Sequence, residues 1–388
     1  MQIKSIKGEK ILDSRGKETI KVFIESDFGR FSASCPSGTS KGKHEKKAFA
    51  DTVEESIEKI ESLEINNHFN KFEDLIYLES EIAKKFKLIN NLGANAIIAL
   101  EIAILRAIAF QKKKELWQVI SDTGKTPLLV GNCIGGGAHS KGTKPDFQEF
   151  LFIPKENVEK AIEINKRAHK IAKRELEDKD EQFEELTNYE NAWQTSLPDN
   201  RILFIMQEIK QEIEKFLHTK IRIGLDVAAS SFFNKTYNYK NPEKIRNKEE
   251  QVRYINSLIE KFNLVYIEDA LDEEDFENFS KLNKKAMIVG DDLICTQIDR
   301  LKKAIKMKSI NAVIVKPNQN GSLLQVKKFI EICKKNKIIT IFSHRSGETQ
   351  DSWLADLAYG FKADFMKSGI IGEEREVKLR RLKEISKS

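Results

Sequence analysis

Ile338-Ile-Thr-Ile-Phe-Ser-His-Arg-Ser-Gly-Glu-Thr349 is an apolar run that ends in an imidazole, a guanidinium and a hydroxyl. Ile338 to Phe342 reads as a buried strand, and the polar cluster sits where that strand gives way to a loop. Arg345 and Ser346 together make a fork and a small donor, which suits a phosphate or a carboxylate. His344 beside them can carry or share a proton near neutral pH. Similar apolar runs recur upstream: Phe147 to Ile153, Ile221 to Leu225, Leu264 to Ile267, Met287 to Val289 and Ala312 to Val315. Amphipathic stretches such as Val158 to Glu175 and Leu323 to Lys335 lie between them and read as helices. This alternation, from about Pro127 onward, predicts a parallel sheet closed into a (β/α)8-type barrel. Almost every polar motif falls at the C-terminal end of a run, where such a barrel builds its active site.

The chain before Pro127 is organised differently. Thr19 to Ser26 and Gly29 to Ser34 alternate like two antiparallel strands, and Pro36 to Gly42 is a Gly-containing loop. Amphipathic helices follow, roughly Asp51 to Leu63 and Gly93 to Val119. The expectation is a smaller α+β domain over residues 1–126 and a barrel over 127–388. No internal repeat stands out, and the polar segment Asn234 to Glu250 reads as a surface excursion.

The bulk numbers narrow the function classes. The chain has 388 residues, 40% hydrophobic and 32% charged, a globular composition with ample core. Its 66 Lys plus Arg against 60 Asp plus Glu leave +6, too small and dispersed a surplus to argue for nucleic acid. Cys35, Cys133, Cys295 and Cys333 are far apart, so neither a disulfide framework nor a zinc site is readable. The N-terminus lacks a signal-like apolar region, and no run reads as membrane-spanning. A reducing cytoplasm is the expected setting, with neither nucleic acid nor membrane as partner.

Three acids close three successive runs: Asp226, Glu268 and Asp291. One such acid is usually a helix cap. Three at one barrel mouth repel unless a cation sits between them, and all-oxygen ligands favour Mg²⁺ or Mn²⁺. Lys316 and Lys367 end two further runs. A lysine there is either a base with a lowered pKa or the partner of a carboxylate. Gly135-Gly-Gly-Ala-His139 is a Gly-rich turn ending in His, and Gln148-Glu149 heads a strand-like run. Ser40, taken alone, reads as a turn or helix-cap hydroxyl.

Taken together these pieces resemble the enolase family, the phosphopyruvate hydratases of glycolysis. The matching segments run in the family's order: Ile11-Leu-Asp-Ser-Arg-Gly16, Pro36-Ser-Gly-Thr-Ser40, Leu92-Gly-Ala-Asn-Ala96, Gly136-Gly-Ala-His139, Gln148-Glu-Phe150, Gly224-Leu-Asp226, Ile267-Glu-Asp269, Val289-Gly-Asp-Asp-Leu293, Lys316-Pro-Asn-Gln319, Ser343 to Thr349 and Lys367-Ser-Gly369. The resemblance implies a lyase that interconverts 2-phosphoglycerate and phosphoenolpyruvate with Mg²⁺. A Lys base working with Mg²⁺ is general knowledge of this superfamily rather than a reading of this chain. The resemblance makes Asp226, Glu268 and Asp291 ligands of a first Mg²⁺, and Ser40 a ligand of a second. It makes Lys316 the base, with His139, Gln148, His344, Arg345, Ser346 and Lys367 around a small phosphorylated acid, and it implies a homodimer.

The match departs from the family's pattern in places. The family's acid lies in a Gly-Asp-Glu-Gly-Gly loop, which here reads Asn188-Tyr-Glu190-Asn-Ala192. Glu190 is the expected general acid, and Glu149 on the same wall is its rival. Gly135 stands for an Asn, Ala270 for a Pro and Ser231 for a Glu. An Arg-Ser-Glu-Arg stretch survives only as Glu373-Glu-Arg375, and the family's usual C-terminal tail is missing. The reading is therefore a divergent member, whose alternatives are a hydratase of a related phosphonate or acid, or a weakened homologue with a binding role.

Overall fold

The computed structural model describes residues 1–38, 42–140 and 142–387. Three antiparallel strands open the chain: β1 (Ile3–Leu12), β2 (Glu18–Ser26) and β3 (Gly29–Cys35). The sequence reading placed only the last two. β1 was missed because Lys and Glu fill its exposed face, leaving just Ile3 and Ile6 buried. The expected helix over Gly93 to Val119 is two helices, Ala94–Gln111 and Leu116–Ile120, broken where Lys113 turns left-handed at φ 52°. Helix Ala94–Gln111 is long and apolar enough to cross a membrane by length and composition, yet 83% of it is buried inside the protein. It packs against β2, β3 and the short helix Pro317–Asn320 that follows Lys316. Each of its buried Ile or Leu side chains contributes roughly 1.5–3 kcal/mol relative to exposure, so the small domain is a rigid backing for that side of the site.

The barrel uses β4 (Leu128–Gly135), β5 (Glu149–Pro154), β7 (Ile221–Asp226), β11 (Tyr266–Glu268), β12 (Met287–Gly290), β13 (Ala312–Val315), β14 (Ile339–Ser343) and β15 (Phe365–Lys367). They pair in that order, and β15 pairs with β4 to close the ring. The shorter β6 (Trp193–Gln194) adds to the end of β4. The expected parallel barrel holds with one difference. β5 runs antiparallel to both β4 and β7, because residues 136–148 return the chain to the same end of the barrel, where Gly135 pairs with Glu149, and no crossover helix intervenes. Residues 234–250 are more than a surface excursion. β8 (Phe233–Asn234), β9 (Thr236–Lys240) and β10 (Glu243–Arg246) form a small antiparallel sheet with Tyr237 and Tyr239 buried.

Side chains alternate along each strand, so one set points into the barrel. Val130, Leu151, Tyr266, Val289, Ile314, Ile341 and Phe365 are among the apolar residues that fill this interior. Two residues toward the mouth from these seven stand Asn132, Glu149, Glu268, Asp291, Lys316, Ser343 and Lys367, and Asp226 is in register with both Glu149 and Glu268. The period of two that packs the apolar layer thus delivers a polar layer above it.

Candidate active site

Asp226 and Glu268 end neighbouring parallel strands in register, and Glu149 pairs with Asp226 from the other side. Glu149 heads its strand instead of ending it. The antiparallel direction of β5 brings that head to the mouth. Lys367 reaches across from β15, with its ammonium 2.8 Å from Glu149 Oε2, 2.9 Å from Glu268 Oε2 and 3.1 Å from Asp226 Oδ2. Burial works against the Lys367 charge, but Asp226, Glu149 and Glu268 outweigh it and hold its pKa well above the usual lysine range.

Lys316 donates to Asp291 Oδ2, and Gln319 Nε2 donates to Asp291 Oδ1 at 3.0 Å. Burial alone would lower the Lys316 pKa. The Asp291 carboxylate reverses this and keeps it above the ordinary value. The sequence left two states open for Lys316, a lowered pKa or a carboxylate partner, and the structure has the second. The closer carboxylate wins because Coulomb energy scales inversely with distance. Lys316 is therefore an ammonium in this arrangement, and it becomes a base only when Asp291 is engaged elsewhere.

Negative charge is in excess here. Glu149, Glu190, Asp226, Glu268, Asp269, Asp291 and Asp292 are all buried or nearly so, against the ammoniums of Lys316 and Lys367. Burial, and then the Asp226 carboxylate, push Glu268 up to about 8. Burial, followed by Asp292 and Asp291, also raises Asp269 well above the usual range. Glu268 Oε1 has no hydrogen-bond partner among the described residues. Buried, partly unpaired carboxylates on adjacent strand ends fit a hard divalent cation with oxygen ligands. Ligand atoms of Asp269, Asp291 and Asp292 already lie within 4.8 Å of one another. Asp226, Glu268 and Asp291 are not drawn together that tightly, since Lys367 holds the first two and Lys316 the third. Ser40 lies outside the described residues.

The opposite wall carries the second group. β5 stands four strands from β13 in the ring of eight, so Glu149 faces Lys316 across the barrel. Glu190 sits at the tip of a hairpin closed by the Thr187–Trp193 bridge and anchored where β6 meets β4. Asn132 Nδ2 donates to Glu190 Oε2 at 3.2 Å. His344 Nε2 is 3.6 Å and His139 Nδ1 3.9 Å from its two oxygens. Burial opposes the Glu190 charge, yet His344, His139, Arg375 and Lys367 hold its pKa well below the usual range. Glu149 goes the other way: burial and then the Glu190 charge raise it well above. Two close carboxylates cannot both ionise freely. Within the pair, the charged form is disfavoured at Glu149 and favoured at Glu190. Both imidazoles are pushed down by burial, and none of their nitrogens has a hydrogen-bond partner among the described residues. Gln148 donates to Asp226 Oδ2 at 3.5 Å and keeps its own Oε1 unpartnered. These buried polar atoms face the cavity and are available to a polar ligand.

Arg345 and Ser346 line the same cavity. The Arg345 guanidinium is engaged by Glu45, with Nη2 2.9 Å from Oε2 and 3.2 Å from Oε1, and by Asn318 Oδ1 at 3.2 Å. Arg15 Nη1 donates to Ser346 Oγ at 3.3 Å. The structure thus brings together every predicted site residue it describes. It also adds four that were given no role. Glu45 was hidden in the run Lys41-Gly-Lys-His-Glu45, which reads as a solvated turn. Arg375 is buried and donates to the carbonyls of Arg345 at 2.7 Å, Ser346 at 2.9 Å and Tyr189 at 3.2 Å. Asp269, left-handed at φ 42°, accepts from the Asp291 and Asp292 amides at 3.0 and 2.7 Å and ties two strand ends together. Gln319 links Asp291 to Glu45, at 3.2 Å from the latter's Oε1.

Comparison with known proteins gives the same direction. Residues 3–120 match the family model described as the enolase N-terminal domain, and 125–387 that of the enolase C-terminal TIM barrel domain. The enolase of Methanosphaera stadtmanae is 34% identical over 98% of this chain and 95% of its own length. That of Methanocorpusculum labreanum is 36% identical over 96% of each. The Pyrobaculum aerophilum enolase is 34% identical over 98% of this chain and 96% of its own.

Proposed function

The chain belongs to the enolase family, and from that premise we propose that it interconverts 2-phosphoglycerate and phosphoenolpyruvate as a Mg²⁺-dependent lyase. The observation that carries this reading is one cavity with a lysine on one wall, two close carboxyl groups on the other and further carboxyl groups between them. Asp226, Glu268 and Asp291 are the residues that would hold the metal. Bound there, Mg²⁺ offsets the charge that develops on the substrate carboxylate. Lys316 takes the proton from C2, next to that carboxylate. Its ammonium releases a proton to solvent when the oxygens of Asp291 no longer accept from it, and the neutral amine is then the base. Glu190, once it has taken a proton from Glu149 beside it, gives that proton to the hydroxyl on C3, which leaves as water. The bonds balance: the C2–H bond breaks with its proton going to Lys316, its electron pair becomes the carbon–carbon double bond, and the C3–O bond breaks to release water. Arg345 and Ser346 hold the phosphate, which displaces Glu45 from the guanidinium or shares it. His139, Gln148, His344 and Lys367 place their buried donors around the rest of the substrate.

A second reading gives the acid to Glu149. It is favoured by one observation: burial and the neighbouring Glu190 charge both favour the protonated form of Glu149. The four thiols are free and buried, which supports a reducing, cytoplasmic setting.

Metal binding tests the floor of the site. Asp291→Ala removes one ligand and the partner of Lys316 together. Mg²⁺ titration by calorimetry is expected to show affinity reduced by at least about tenfold, since the remaining carboxylates cannot supply the missing oxygen. A variant that titrates Mg²⁺ like the parent would remove Asp291 from the ligand set.

A further inference from the structure

We propose that Asn188 is the positioning residue of the acid loop, and that Gly135 is the slot that makes it possible. The proposal rests on the reading of Glu190 as a proton donor. Asn188 Oδ1 accepts from the amides of Glu190 at 2.9 Å and Ala192 at 3.1 Å. Its own amide donates to the Ala192 carbonyl at 2.9 Å, and its carbonyl accepts from Asn191 at 3.0 Å. One side chain therefore ties both arms of the turn that presents Glu190.

The same side chain fills a specific gap. A Cβ at position 135 would lie 2.1 Å from Asn188 Nδ2 and 3.4 Å from the Ala192 Cβ. Real carbon atoms never approach that closely, so any larger residue at 135 drives the amide out. Asn188 Nδ2 is buried and has no partner among the described residues. Burying an unpaired donor is costly, so the amide is retained for its acceptor oxygen and its length. Glycine at 188 would supply no acceptor. Aspartate would supply one, together with a buried negative charge beside Glu190. Asparagine is the neutral side chain that reaches both amides, and glycine at 135 leaves room for it.

The two positions are therefore energetically coupled, and a double-mutant cycle reads the coupling. Asn188→Gly is expected to lower dehydration of 2-phosphoglycerate by about ten- to hundred-fold, the scale of one or two lost hydrogen bonds. Exchange of the C2 proton should stay within about twofold of the parent, because Lys316 is untouched; a general loss of folding would lower both. Gly135→Ala should behave alike, and the double variant should be no worse than the poorer single one. Hydrogen–deuterium exchange of segment 187–193 supplies a readout that does not depend on catalysis: protection at Glu190 and Ala192 should fall in all three variants. Multiplicative losses in the double variant, unchanged protection in Asn188→Gly, or exchange falling with turnover would each overturn the proposal. Glu190→Gln in the same series separates the two readings. If it turns over like the parent, the acid assignment fails, while the protection data still decide whether Asn188 holds the loop.

Discussion

Lys316→Ala is expected to lose exchange of the substrate's C2 proton with deuterated water, along with turnover, by roughly two to four orders of magnitude. The side chain crowns β13, half-buried, on the wall opposite the Glu149–Glu190 pair. Among the described residues, Lys367 is the other lysine lining the cavity, and three carboxylates hold it. It cannot take over the task without giving up those contacts. Exchange is the sharper readout, because it reports proton removal even when the hydroxyl never leaves. Retained exchange at the parent rate would place the base elsewhere. The mutation also leaves Asp291 without its ammonium partner. Mg²⁺ affinity should therefore not fall, which separates loss of the base from loss of the metal site.

Glu190→Gln is expected to lose dehydration by roughly two or more orders of magnitude and to keep C2 exchange. Gln preserves the volume beside His344 and His139 but carries no transferable proton. It also removes the charge that pushes Glu149 upward, so the Glu149 carboxyl should ionise at lower pH in the variant. Glu149→Gln provides the comparison. Loss confined to Glu149→Gln would hand the acid role to that residue, in line with the raised pKa of its carboxyl. Loss of exchange together with turnover in Glu190→Gln would point to a loop needed for closure and leave the acid unassigned.

The legible part of this molecule is the part governed by short periods. Tyr266-Ile-Glu268 shows why: an inward apolar residue, an outward one, then an inward acid fix both strand and site in three residues. The same grammar reads Asp226, Asp291, Lys316 and Lys367. Strand direction is not written in it. Glu149 heads an apolar run, and only its antiparallel pairing with Gly135 of β4 shows that this head lies at the mouth. Contacts distant in sequence are also invisible. Glu45 meets Arg345 across 300 positions, and its neighbours Lys43 and His44 make the segment look solvated. Arg375 lies in the charged run Glu373-Glu-Arg-Glu376, yet it is among the most deeply buried side chains in the protein. No local pattern separates it from Arg380, which is exposed on the same helix. The sequence left the state of Lys316 open for a similar reason, because its closest charge is set by tertiary geometry. In the sequence the altered loop around Glu190 left a changed substrate or a weakened homologue open beside its role as the acid. In the structure Asn188 and Gly135 rebuild a hairpin that still puts the carboxylate in the cavity.

Formation of phosphoenolpyruvate from 2-phosphoglycerate by the purified chain bears most directly on the assignment. Turnover is expected with Mg²⁺ present, loss of it on chelation with EDTA, and full recovery when Mg²⁺ is restored in excess. Phosphoenolpyruvate production that is absent with Mg²⁺, in protein shown by calorimetry to bind the ion, would contradict the proposed reaction.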